Sequence, residues 1–106
     1  MISGLFSVEA LRAAGPAEDG RLSRAVLERD HMEVRFYAPE GVDHQQPHER
    51  DEVYVVAAGR AVYCDEQGWR PVSAGQLIFV AAGEQHRFTA MSPDFAVWVV
   101  FAGPAT

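Results

Sequence analysis

Hydrophobic and polar residues alternate along most of this chain. In HMEVRFYAP, Met32, Val34 and Phe36 alternate with Glu33, Arg35 and Tyr37, the pattern of a strand with one buried face, and Pro39 with Gly41 ends the run. EVYVVAA, RAVYCDE, QLIFVAA, QHRFTA and DFAVWVVFAG follow, separated by the turn signals Gly59, Gln67-Gly68, Ala74-Gly75, Ala82-Gly83 and Ser92-Pro93. Short strands at this spacing predict a sandwich or barrel, and with no internal repeat a closed or two-sheet jelly roll is the economical arrangement. Ahead of them, residues 7–14 read as a short helix, with Ser7 as its cap, Glu9 in the first turn and Gly15-Pro16 as the stop. The expected organisation is an N-terminal extension carrying that helix over residues 1–30 and one β domain over residues 31–106.

A chain of 106 residues has room for one core and one site. Its hydrophobic content of 48% is that of an ordinary globular domain. The formal charge of -6 and the absence of Lys argue against a surface that neutralises phosphates, so neither nucleic acid nor an anionic membrane is an expected partner. Cys64 is the only cysteine, which excludes an intramolecular disulfide and a zinc cage of two or more thiolates and fits a reducing cytoplasm. The start, MISGLFSVEALRAAG, has neither the basic opening nor the long apolar run of a signal peptide, and nowhere do 18 apolar residues follow one another.

The chemistry is concentrated in DHQQPHERDEVYVVAAG and in a second polar island, AAGEQHRF. Gln46 and His48 are two apart, so on a strand their side chains leave one face about 6.6 Å apart and both can reach one ion. Glu52 lies ~13 Å further along a straight strand, but Glu49-Arg50-Asp51 is polar enough to bend and return it to the same place. Strand parity puts Glu52 with Tyr54 and Val56 on the inward face, where an uncompensated carboxylate is costly and a cation removes the cost. His86 follows the Gly83 turn. His31 reads as a surface residue, Cys64 as a small hydrophobe, Trp69 as hairpin packing and Trp98 as core or interface. By the same parity Met32, Val34, Phe36, Tyr54, Val56 and Phe88 would line a mostly apolar pocket with Tyr54 as its polar handle, suited to a small, partly aromatic or enol-type molecule.

These segments resemble the two motifs of the cupins, small barrels of the double-stranded β-helix type. The first motif, G-x5-H-x-H-x3,4-E-x6-G, is met at His48, Glu52 and Gly59, with Gln46 where its first His belongs and Gly41 one place after its first Gly. The second, G-x5-P-x-G-x2-H-x3-N, is met at Gly75, Gly83 and His86, with Ala81 and Ala90 in place of its Pro and Asn. The resemblance extends from about Met32 to Pro104. It implies an all-β, cupin-type jelly-roll (double-stranded β-helix) barrel with a short N-terminal helix. It also implies one divalent transition-metal ion, Fe, Mn, Ni or Zn, on Gln46, His48, Glu52 and His86, with His44 as the alternative to Gln46. An amide oxygen is a weaker ligand than imidazole, so the position of Gln46 separates this chain from the usual ligand set. The activities thereby implied are those of a metal-dependent enzyme on a small metabolite, of the dioxygenase, isomerase or decarboxylase kinds. The alternatives are a non-catalytic cupin that binds or senses a small ligand, and a purely structural metal. A homodimer joined through its sheets is expected by the same likeness.

Overall fold

A computed structural model describes residues 4–15, 23–41, 43 and 47–103. Among them the chain forms one helix, α1 (Val8–Ala13), and the strands β1 (Arg24–Arg29), β2 (Met32–Tyr37), β3 (Asp51–Ala58), β4 (Arg60–Asp65), β5 (Gly68–Ser73), β6 (Leu77–Val80), β7 (Arg87–Thr89) and β8 (Ala96–Ala102). All pairings are antiparallel, in a five-stranded sheet of order β1-β2-β8-β3-β6 and a three-stranded sheet of order β5-β4-β7. After β3 the chain passes repeatedly from one sheet to the other, and the side chains between them form the core.

β3 and β8 carry the clearest alternation and lie side by side. Glu52, Tyr54 and Val56 are buried on β3, and Val97, Val99 and Phe101 on β8. The register sets Glu52 opposite Phe101, Tyr54 opposite Val99 and Val56 opposite Val97, so one strand's inward row abuts the other's. From the second sheet Ala61, Tyr63, Val72 and Phe88 close the same core. The helix buries no residue; Ser7 caps it by accepting from the Ala10 amide at 3.1 Å.

β2 turns the other way from expectation. Its partners on β8 are Glu33–Phe101, Arg35–Val99 and Tyr37–Val97, so Glu33, Arg35 and Tyr37 share the inward face, and Met32, Val34 and Phe36 lie on the outer one. Met32 is exposed, and Phe36 is buried against Trp98 with ring centroids 5.3 Å apart. The inward polar groups are acceptable because they pair. Arg35 Nη1 donates to Glu33 Oε2 at 2.8 Å and Nε to Ser23 Oγ at 2.6 Å, Arg50 holds the other Glu33 oxygen at 3.1 Å, and Tyr37 donates to Asp43 at 2.6 Å. Residues 24–29, inside the stretch expected as an extension, add an edge strand to the sheet by pairing with β2.

The two ends of this sandwich are built differently. At one end Gly59 links β3 to β4 with φ +73°, and a Cβ there would run into Ser92 Oγ and meet Asp94 Oδ1 at 2.7 Å and the Phe95 Cα at 2.8 Å. Only glycine combines that backbone with that proximity. At the other end the connection into β3 meets the one from β6 to β7: Gly83 N–H donates to the His48 carbonyl at 2.7 Å, and Ala82 N–H to Asp51 Oδ1 at 2.8 Å. Both polar islands of the sequence are thereby tied together there.

Candidate metal centre

His48, Glu52 and His86 converge at that second end. Each can offer one ligand atom such that all three atoms lie within 4.8 Å of one another. Glu52 is the second residue of β3, fixed by pairing to Phe101 on one side and Val80 on the other. Its Oε1 lies 3.1 Å from His86 Nε2 and 4.0 Å from His48 Nε2. The His48 ring rests edge-on against Phe101 at 4.8 Å, which holds it toward the interior while part of it stays open to solvent.

His86 is oriented by its neighbours. Its Nδ1 is 2.9 Å from the Glu84 carbonyl, which can only accept, so Nδ1 carries a proton and Nε2 is turned toward Glu52 and the Tyr54 hydroxyl, the latter 2.8 Å away. A carbonyl fixing one ring nitrogen while the other faces the site is the usual support of a metal-binding histidine. Burial alone would push the imidazole pKa down. The Glu52 hydrogen bond, the Glu84 carbonyl and the charges of Glu52 and Asp43 outweigh it, and the net shift is upward. Tyr63 stands beside the same ring, and burial foremost, aided by Asp65 and Glu84, raises its phenol so that it stays protonated.

The donor set passes a direct test of fit to a cation. His48 Nε2 and Glu52 Oε2 are buried with no hydrogen-bond partner among the described residues. An unpaired carboxylate oxygen and an unpaired imidazole nitrogen, both turned inward, cost free energy that a shared divalent ion would recover. Two imidazoles and a carboxylate suit Fe, Mn, Ni or Zn. Gln46 and its alternative His44 lie outside the described residues. Of the expected pocket residues, Tyr54, Val56 and Phe88 are in the core between the sheets, whereas Met32, Val34 and Phe36 are on the far side of β2 and cannot face this centre. Asp43, which accepts from both the Tyr37 hydroxyl and the Phe88 amide, was not apparent from the sequence, where it is one acid among several.

Two packed antiparallel sheets carry at one end a His-Glu-His cluster that could hold a metal ion, the arrangement of the double-stranded β-helix class. The cupin domain model matches residues 34–102, and the chain belongs to the cupin family. An uncharacterized protein of Streptomyces coelicolor is 38% identical over 101 residues, which cover 93% of this chain and 95% of that one. Among solved structures, a conserved protein with a double-stranded β-helix domain from Klebsiella pneumoniae superposes with a TM-score of 0.72 at 24% identity, covering 97% of this chain and 92% of its own. A cupin-2 domain protein from Shewanella frigidimarina gives 0.73 at 15% identity, covering 92% and 94%. At these identities the solved structures establish a shared fold.

Proposed function

We propose that this cupin holds one divalent transition-metal ion, Fe, Mn, Ni or Zn, on His48, Glu52 and His86 and works as a metal-dependent enzyme on a small oxygen-bearing metabolite. The observation that carries the reading is the convergence of His48, Glu52 and His86, whose ligand atoms lie within 4.8 Å of one another, with His48 Nε2 and Glu52 Oε2 buried and unpartnered among the described residues. Such an ion supplies Lewis acidity toward an oxygen atom of the bound molecule. The protein's own groups do the rest. Glu52 supplies one negative charge toward a divalent ion, which in turn attracts an oxygen donor of the bound molecule. The Glu84 carbonyl keeps His86 in one tautomer, and Phe101 keeps the His48 ring in place. Side-chain exposure is 35% for His48 against 0% for His86 and 1% for Glu52, so a small molecule approaches past His48. Behind the site the apolar core excludes water.

The test is elemental analysis of purified protein, wild type beside His86→Ala, after metal supply and removal of excess. About one ion per wild-type chain and far less in the variant is the expected result, and equal contents would refute the reading. Oxygen uptake and product analysis with Fe(II) and a panel of diols and β-diketones then separate an enzyme from a ligand-binding cupin.

The working form we propose is a cytoplasmic homodimer. The outer face of the five-stranded sheet supports it: Val34, Val100, Val53 and Phe79 form one row across the strands, and Phe36, Trp98, Val55 and Leu77 the next. Leu77 and Phe79 are 65% and 60% exposed, and two such sheet faces pack about 10 Å apart. Among the described residues no helix is long and apolar enough to cross a membrane.

A further inference from the structure

More groups meet at His86 Nε2 than one nitrogen can serve. The Tyr54 hydroxyl is 2.8 Å away and Glu52 Oε1 3.1 Å away, while the proton of the neutral ring is held on Nδ1 by the Glu84 carbonyl. In the neutral ring the Nε2 lone pair can accept from the hydroxyl, but it then faces a carboxylate oxygen that has only lone pairs to offer, and in the protonated ring Nε2–H donates to that oxygen instead. A cation placed among the three atoms takes the place of that proton and a lone pair from each.

The distances fit that arrangement. With metal–ligand bonds of about 2.1 Å, two ligand atoms at right angles lie roughly 3 Å apart. Glu52 Oε1 and Tyr54 Oη both stand at that separation from His86 Nε2. Tyr54 has little freedom to be elsewhere: it is fully buried, and its ring packs edge-on against Phe88 at 5.1 Å. It is two residues beyond Glu52 on the inward face of β3.

We propose that the Tyr54 phenolic oxygen is a further protein ligand of the ion held by His48, Glu52 and His86. The inference rests on the metal reading above. As the ion enters, the phenol proton passes to solvent and the oxygen–metal bond forms, so that Tyr54 and Glu52 together balance a divalent charge in a buried place. A hard, anionic donor favours iron or manganese among the candidate metals.

The experiment loads the protein with Fe(III) as a probe and records metal content together with the visible and resonance Raman spectra. Expected for wild type is one iron per chain with a phenolate-to-iron charge-transfer band and tyrosinate ring modes excited within it. Tyr54→Phe is expected to lose the band and the modes and to bind iron at least roughly tenfold more weakly. Tyr63→Phe is expected to keep both. Wild type that binds iron without the band, or a band that survives in Tyr54→Phe, overturns the assignment and leaves the three-residue site standing. Wild type that binds no metal overturns both. If Tyr54→Phe fails to fold, the wild-type and Tyr63→Phe spectra together decide the matter: no band in wild type, or a band lost in Tyr63→Phe, overturns the assignment.

Discussion

Replacing Gly59 by alanine puts a numerical test on the turn between β3 and β4. Two costs add. An L-residue held at φ +73° loses about 1–2 kcal/mol relative to glycine. The new methyl group also lands 2.8 Å from the Phe95 Cα, and overpacking of this kind typically costs ~1–3 kcal/mol. Ser92 Oγ and Asp94 Oδ1 are side-chain ends and can move, but Ser92 Oγ accepts from the Arg60 amide at 2.9 Å and donates to Asp94 at 2.7 Å, so moving it sacrifices those bonds. The total, about 2–5 kcal/mol, is a large part of the ~5–15 kcal/mol that stabilises a domain. Gly83→Ala is the control, because φ there is +80° but nothing lies within 4 Å of the added Cβ. In equilibrium urea unfolding followed by tryptophan fluorescence, Gly59→Ala should lose roughly 1–3 kcal/mol more than Gly83→Ala. Equal losses would show that the Ser92–Phe95 turn yields and that its proximity to Gly59 carries no stability.

Three further outcomes are expected. Ala90, exposed and at φ +49°, occupies the place where the family motif has Asn, a residue that tolerates left-handed backbone; Ala90→Asn or Ala90→Gly should raise stability by about 0.5–1 kcal/mol and the melting temperature by a few degrees, and a lower melting temperature would contradict the strain. The pKa of His86 is raised in the folded protein, so in metal-free protein its contribution is complete below its unfolded value of about 6.5 and fades as pH rises through the folded value; melting curves should show wild type losing stability over that interval relative to Glu52→Gln, and parallel profiles would refute the pairing. Substituting Glu for both Leu77 and Phe79 should convert the proposed dimer to a monomer in light scattering at tens of micromolar, whereas a monomeric wild type would remove the dimer.

The sequence disclosed those elements whose two faces differ. β3 and β8 bury alternate residues, and His48, Glu52 and His86 meet as the motif spacing implied. β2 misled because each of its faces carries a buried residue: Arg35 turns inward with Glu33 and Ser23 as partners, while Phe36 is sheltered outside by Trp98. Polarity alone cannot tell an exposed arginine from one whose hydrogen bonds are met internally. β1 and β5 were missed for a related reason. Each pairs on one side only, β1 is interrupted by an irregularity between Ala25 and Leu27, and β5 contains Pro71, which a sheet admits at its edge. The Tyr54 hydroxyl at His86 and the double role of Asp43 depend on loops crossing between sheets, which no local pattern encodes.

The place of β8 has a temporal consequence. It runs between β2 and β3, yet it follows both in the chain, and Glu52 finds its neighbour Phe101 about half a chain away. The carboxylate is therefore not held in position when the first polar island leaves the ribosome, nor when His86 does. Assembly of the site awaits a distant pairing, which makes folding slow by the measure of contact order. A metal ion added to a nascent chain would meet scattered donors rather than a cage, so it should reward the finished fold by slowing unfolding instead of speeding its formation.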